Sequence, residues 1–318
     1  VMSQLHPEMR KIIDLVDADL RKRGWADLHS AGAEAAREFL ESWVPPEQDR
    51  PPIYQTEDRP VPGPAGDIPV RIFRPRETSE TMPVLVWYHG GGWVLGSLDL
   101  SEVNCRQLAN DADCVVVSVD YRLAPEHPFP AAIEDCLAAT AWIHAHADEL
   151  GADPQRIAVA GDSAGGNLAA CVAYSAKALG LPLVLQLLVY PVIDADFERP
   201  SYVDNAEGFL LTREAMRFYW DAYVPNLTQR TDPRVAPIHA SDLSGVAPAW
   251  IITAELDPLR DEAEAYGEAL RLAGVTSTTR RYDGMIHAFF NMATQEPVDA
   301  VTEATRAATA ALREAFEN

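Results

Sequence analysis

Five residues, Gly161-Asp162-Ser163-Ala164-Gly165, place a serine between two glycines. They follow the apolar run Ile157–Ala160 and open a stretch of small residues that continues through Asn167 and Leu168 to Ala170. A serine raised on a sharp strand-to-helix turn needs small neighbours, because larger side chains would clash where the two elements meet. The helix N-terminus beneath it favours negative charge. Such a serine can attack a carbonyl carbon if a base removes its proton.

A second group, His89-Gly90-Gly91-Gly92-Trp93, comes directly after the apolar run Val84–Tyr88. Successive glycines can turn their amide hydrogens toward one point, which is what a developing oxyanion requires. Gly91, Gly92 and the amide of Ala164 are therefore the expected donors. The base should be a histidine held by a carboxylate, in the chain order serine, acid, histidine. Only His239 and His287 follow Ser163. His287 lies just beyond an expected strand ending near Tyr282, whereas no strand precedes His239, so His287 is the expected base. Asp257 follows the strand-like run Trp250–Leu256 and is the expected acid. Asp194 also follows a strand and is the runner-up. Asp261, a helical turn past Asp257, suits helix capping better. An apolar pocket must hold the substrate, and Tyr190, Phe209 and Leu210 are its expected walls.

These residues need a scaffold. Short apolar or β-branched runs at Val84–Tyr88, Val115–Tyr121, Ile157–Ala160, Leu183–Tyr190, Trp250–Ala254 and Thr278–Tyr282 read as strands. Helical patterns at Ala131–Glu149, Gly165–Ala178, Asp261–Ala273 and Val298–Phe316 lie between or after them. The alternation predicts an α/β fold, a mostly parallel sheet covered by helices on both faces. Ahead of it, Ile53–Arg59 and Ile68–Phe73 read as an antiparallel pair turning at Pro62-Gly63-Pro64. An amphipathic helical segment, Leu5 to Leu20, and a second helical stretch, Ala31–Trp43, come first. The region Asp194 to Arg234 breaks the rhythm with the aromatic-rich helical run Arg213–Tyr223. The expected organisation is N-terminal helices over 1–50, a catalytic domain over 51–194 and 235–318, and a cap insertion over 195–234 shared with the N-terminal helices.

Composition excludes several classes. The chain has 318 residues, and 26 Lys and Arg against 48 Asp and Glu give a net charge of −22. Nucleic acids and anionic membranes both demand a basic surface, so neither is an expected partner. The four cysteines and eight histidines form no metal-ligand spacing, and no phosphate loop or dinucleotide fingerprint appears, so no metal and no cofactor is expected. The cysteines read as buried free thiols. The first twenty residues mix charge throughout and offer no signal-type apolar core, so a cytoplasmic address is expected. An edge strand and the C-terminal helix offer surfaces for a homodimer.

Taken together, the blocks Tyr88 to Trp93, Asp120 to Ala131, Gly161 to Asn167, Asp257 to Glu262 and Gly284 to His287 resemble the bacterial hormone-sensitive-lipase-like esterases of the α/β-hydrolase fold. The resemblance implies a triad of Ser163, Asp257 and His287, oxyanion donors at Gly91, Gly92 and Ala164, and structural support for the glycine loop from His89 and the Asp120–Ala131 block. It likens the N-terminal helices and the segment Asn205 to Thr212 to the family's cap. The expected activity is hydrolysis of short- to medium-chain carboxylic esters, small-molecule substrates, through an acyl-enzyme. Amide or lactone hydrolysis would use the same triad, and a ligand receptor without catalysis is the reading from a different class. Ala288 stands where many relatives carry glycine.

Overall fold

Strands rich in Val, Ile and Leu on both faces can be satisfied only in the middle of a covered sheet. The computed structural model describes residues 4–318, so the first three residues of the 1–50 segment lie outside the described residues. Its eight strands are β1 (Gln55–Gly63), β2 (Gly66–Arg74), β3 (Met82–Tyr88), β4 (Val115–Val119), β5 (Ala152–Asp162), β6 (Leu185–Val189), β7 (Ala249–Leu256) and β8 (Ser277–Ile286). They form one sheet in the order β1-β2-β4-β3-β5-β6-β7-β8. From β4 to β8 every pairing is parallel, while β1 pairs with β2 and β2 with β4 antiparallel. All residues of β3, β4 and β6 are buried.

The β1–β2 hairpin turns two residues later than expected. Pro62 and Gly63 stay in register with Asp67 and Gly66, leaving Pro64 and Ala65 as the two-residue connection. Proline is tolerated in β1 because this strand is at the sheet edge, where a missing donor leaves no ladder bond broken.

Nine α-helices are described: α1 (Pro7–Lys22), α2 (Ala33–Glu41), α3 (Leu98–Ala112), α4 (Ala131–Ala145), α5 (Ala164–Leu179), α6 (Pro200–Asp204), α7 (Arg213–Tyr223), α8 (Arg260–Leu272) and α9 (Asp299–Glu317). Alternating residues of β3 divide the core. Val84, Val86 and Tyr88 face the layer of α4, α5 and α8, whereas Leu85 and Trp87 face α3, α9 and the inner side of α1. Residues 195–234 carry α6 and α7 and no strand. Helix α3 has no counterpart among the sequence expectations, because its apolar positions are interrupted by Asp99, Glu102, Asn104 and Arg106. It is held by local signals instead: the Ser97 hydroxyl accepts the Leu100 amide hydrogen at 3.2 Å, and Asp113 ends the helix in the left-handed region.

The two N-terminal helices are pinned at specific points. His6 donates its amide hydrogen to the Gly284 carbonyl at 3.0 Å. Glu8 accepts the amide hydrogens of Gln295 and Glu296 at 3.1 and 3.2 Å. On α2, Arg37 donates to the buried carbonyls of Val94 and Ala124 at 2.8 and 3.0 Å. Helix α1 is thereby attached to the end of β8 and the loop after it, and α2 to the loops that follow β3 and β4.

Candidate active site

The site begins at the end of β5, where Ser163 adopts φ 55 and ψ −118, outside the comfortable region for a residue with a side chain. Such strain persists only where the surroundings impose it. Here Gly165 packs so closely on the Tyr88 carbonyl that any Cβ would overlap it, and β3 and α5 can approach only because that Cβ is missing. The Ser163 amide donates to the Val189 carbonyl at 2.9 Å, fixing the turn from the neighbouring strand.

Loops following β7 and β8 bring two more residues to the serine. His287 Nε2 lies 2.9 Å from Ser163 Oγ, and His287 Nδ1 lies 2.8 Å from Asp257 Oδ2. The carboxylate can only accept, so Nδ1 carries the proton and Nε2 is left to accept from the hydroxyl. Asp257 is wholly buried, and its other oxygen accepts the Leu259 amide hydrogen at 2.9 Å. Asn205, at the end of α6, donates to the Asp257 carbonyl at 3.3 Å. After His287, Ala288 takes φ 70, a left-handed conformation that glycine would adopt with less strain.

Gly91 and Gly92 both have positive φ, 115 and 60, in the loop beside the serine. Ala164 is the first residue of α5, so its amide has no acceptor within the helix. The glycine loop is braced from behind. Tyr121 donates its hydroxyl to the His89 carbonyl at 2.6 Å and stacks on the imidazole at 4.3 Å. Burial lowers the His89 imidazole to about 4, so it is neutral and its Nδ1 can donate to the Gly90 carbonyl, 2.7 Å away.

The runner-up acids are engaged elsewhere. Asp194 contacts His239 Nε2 at 2.9 Å and accepts from Arg199 at 2.7 Å. Asp261 accepts the Ser201 amide hydrogen at 2.8 Å and so ties α6 to α8. A cavity of about 1630 Å³ adjoins the site. Leu210 lines it, with Leu211, Tyr219 and His287. Phe209 and Tyr190 are not among its lining residues: Phe209 is packed against the core, and the Tyr190 ring sits behind His287 at 4.7 Å.

Several contributors carry no signal that residue spacing could expose. Tyr219 from α7 lies against Gly92, where a Cβ would meet its ring. Asp162 accepts the Gly90 amide hydrogen, although its place inside the glycine-flanked motif could have drawn notice. Residues of α1 such as Ile12, Ile13 and Val16 line the cavity. Among the described residues no group of three His, Cys, Asp or Glu side chains could hold a metal ion, and no helix is long and apolar enough to cross a membrane. All four cysteines are buried and unpaired.

Residues 85–291 match the alpha/beta hydrolase fold family. The chain is 46% identical over 292 residues to "Carboxylesterase NlhH" of Mycobacterium tuberculosis, covering 90% of each protein. It is 37% identical over 301 residues to "Ethyl acetate hydrolase" of Pseudomonas putida, covering 91% of this chain and 92% of that protein. Among solved structures, an alpha/beta hydrolase enzyme from the metagenome of Lake Arreo superimposes with a TM-score of 0.90 at 40% identity over 99% of both chains. A thermostable esterase from Pseudomonas putida gives a TM-score of 0.91 at 37% identity over 98% of both. With the parallel sheet, the strained serine turn and these likenesses in hand, the chain belongs to the α/β-hydrolase family and, within it, to the bacterial hormone-sensitive-lipase-like esterases.

Proposed function

We propose that the protein is a carboxylesterase that hydrolyses esters of short- to medium-chain acids through an acyl-enzyme. The observation that carries this reading is the continuous chain from Ser163 Oγ through His287 to Asp257, with contacts of 2.9 and 2.8 Å. Ser163 Oγ attacks the ester carbonyl while His287 Nε2 takes its proton. Asp257 keeps the imidazole in the accepting tautomer and stabilises its charged form. The amides of Gly91, Gly92 and Ala164 stabilise the oxyanion, and each such donor contributes about 2.7–4 kcal/mol in comparable sites. His287 then returns the proton to the leaving alcohol oxygen as the C–O bond breaks. Water repeats the sequence on the acyl-enzyme, releasing the acid and restoring Ser163. The groups required are all side chains and amides of this chain. The assignment of residues 1–50 and 195–234 to a cap over a catalytic domain of 51–194 and 235–318 is supported by α1, α2 and Gly208, Leu210, Leu211 and Thr212 lining the cavity.

Ethyl acetate and a chromogenic butyrate ester, offered to the protein and to Ser163→Ala, test the reading. Turnover by the parent and a loss of about 10⁴-fold or more in the variant is expected. Undiminished turnover in the variant would overturn the mechanism. Binding without turnover by the parent would favour a receptor, and faster turnover of a matched amide or lactone would reassign the leaving group.

A further inference from the structure

Two of the three oxyanion donors are aimed from the far side of their own peptide unit. The units joining Gly90 to Gly91 and Gly91 to Gly92 are trans, so each carbonyl points opposite to the amide hydrogen that shares its plane. The Gly90 carbonyl faces His89 Nδ1 at 2.7 Å, which turns the Gly91 amide hydrogen the other way. The Gly91 carbonyl accepts the Val94 and Leu95 amide hydrogens at 3.1 and 2.8 Å, and this tight turn sets the direction of the Gly92 amide hydrogen. The Gly92 donor is therefore only as fixed as the turn over residues 91–95.

That turn is strained. Gly92 and Trp93 are both left-handed, with φ 60 and 62; glycine adopts this conformation freely, but a bulky side chain does not. Such strain persists only where the surroundings impose it. What surrounds the turn is one face of α7, with Tyr219, Trp220 and Tyr223 at helical spacing. The Trp93 ring is wholly buried, stacked on Tyr223 at 4.5 Å and edge-on to Trp220 at 5.2 Å. Tyr219 lies on Gly92 itself, where a Cβ would overlap its Cγ, Cδ1 and Cδ2 atoms. The contact is made by the ring and not by the hydroxyl, and Phe218 meets the same ring edge-on at 5.5 Å. Tyr219 also lines the cavity, so one side chain borders both the oxyanion loop and the space for substrate.

We propose that Tyr219 is a positioning residue for oxyanion stabilisation. With Trp220 and Tyr223 it holds the strained turn in the conformation that aims the Gly92 amide at the substrate's carbonyl oxygen, so α7 serves the chemical step as well as walling the cavity. The assignment rests on the carboxylesterase reading, in which Gly92 is an oxyanion donor, and deepens it.

Steady-state kinetics with ethyl acetate test it, together with inhibition by trifluoroacetone, which presents an oxyanion once Ser163 adds to its carbonyl. Tyr219→Ala frees Gly92 and should lower kcat about ten- to a hundredfold, approaching the loss of a donor, while KM changes by less than about threefold. Affinity for trifluoroacetone should fall in proportion to kcat/KM. Tyr219→Phe keeps the ring on Gly92 and should match the parent. Gly92→Ala should cost at least about a hundredfold beside Tyr219 but less than about tenfold when added to Tyr219→Ala, because the overlap with the ring is then gone. An unchanged kcat with a raised KM in Tyr219→Ala would make the residue a cavity wall only and overturn the proposal. Equal losses in the phenylalanine and alanine variants, or costs that simply multiply in the double variant, overturn it too. If Tyr219→Ala does not fold, Tyr219→Leu keeps apolar bulk without the flat ring and carries the same expectation for kcat, KM and inhibitor; an undiminished kcat there overturns the proposal. Failure of the parent protein to hydrolyse ethyl acetate or a chromogenic butyrate ester would instead sink the carboxylesterase reading itself.

Discussion

The Asp162 carboxylate accepts the Gly90 amide hydrogen at 2.9 Å, so the residue preceding Ser163 holds the loop that carries Gly91 and Gly92. The carboxyl also occupies the space where a side chain at Gly90 would begin. It further interacts with the Asn291 side chain and with His287, which places it between the glycine loop and the histidine loop. One acid thus braces two of the three loops that meet at Ser163. It does so while almost wholly buried, and burial raises its pKa from 3.8 to about 6.

The raised value fixes the sign of a pH effect. The folded protein keeps the Asp162 proton up to about pH 6, whereas the unfolded chain releases it near 3.8. The associated stability is fully present below 3.8 and lost as pH rises through about 6, leaving an ionised carboxylate that costs about 3 kcal/mol at pH 8. Asp162→Asn keeps an oxygen for Gly90 and removes the charge. Its thermal midpoint is expected to exceed the parent's by several degrees at pH 8 and to converge with it at pH 4. Asp162→Ala leaves the Gly90 amide without its partner and should lower kcat more than the asparagine variant does. An asparagine variant that melts below the parent at pH 8 would show that the ionised carboxylate is net stabilising.

Asp257→Asn should separate orientation from binding. The amide can present its NH₂ to His287 Nδ1, which then accepts, and Nε2 becomes a donor unable to take the serine proton. A loss in kcat of about 10⁴-fold with a much smaller change in KM is expected from steady-state kinetics. A comparable rise in KM would mean that the substitution deforms the cavity instead.

The parts that could be read from the sequence were those imposed by local chemistry. Ser163 needs its glycine-flanked turn, Asp257 follows the mainly apolar strand β7, and His287 follows β8, where Thr278, Thr279 and Tyr282 favour a strand despite the two arginines between them, so motif and strand pattern point to the same places. Helix α7 spans Arg213–Tyr223 as its periodicity implies. Other features depend on contacts between distant segments. Helix α3 is buried against β2, β4 and α9, and tertiary burial compensates for a weakly amphipathic sequence. Tyr190 is aromatic and adjacent to a strand end, which suits a pocket wall as well as the role it takes behind His287. Whether an aromatic residue faces a cavity or a neighbouring ring depends on the path of the backbone, and at Tyr190 φ is 34.

Glu262 is fully buried, and one of its oxygens accepts the amide hydrogens of Ile193 and Asp194 at 2.7 and 3.3 Å. Burial pushes its carboxyl well above the usual range, so the neutral form is favoured. Glu262→Gln retains the acceptor and should change unfolding free energy little. Glu262→Ala orphans two buried amides and should cost about 2–5 kcal/mol in urea denaturation. Equal losses in both variants would indicate that the charge, not the acceptor, matters at this position.

Arg37 offers a test of how the N-terminal helices serve the site. Its guanidinium binds the Val94 and Ala124 carbonyls and also pairs with Glu126 at 2.8 Å, holding that carboxyl down at about 2. The ion pair is half exposed and contributes little, whereas the two carbonyls are buried and would be left without their partner. Helix α2 contributes Phe39 and Leu40 to the cavity but contains none of Ser163, Asp257 and His287. Arg37→Ala should therefore raise KM several-fold more than it lowers kcat, and Glu126→Gln should do neither. If the two variants raised KM alike, the surface ion pair would be what holds α2 in place; if Arg37→Ala lowered kcat alone, the contact would act through the glycine loop beside Val94 and not through the cavity wall.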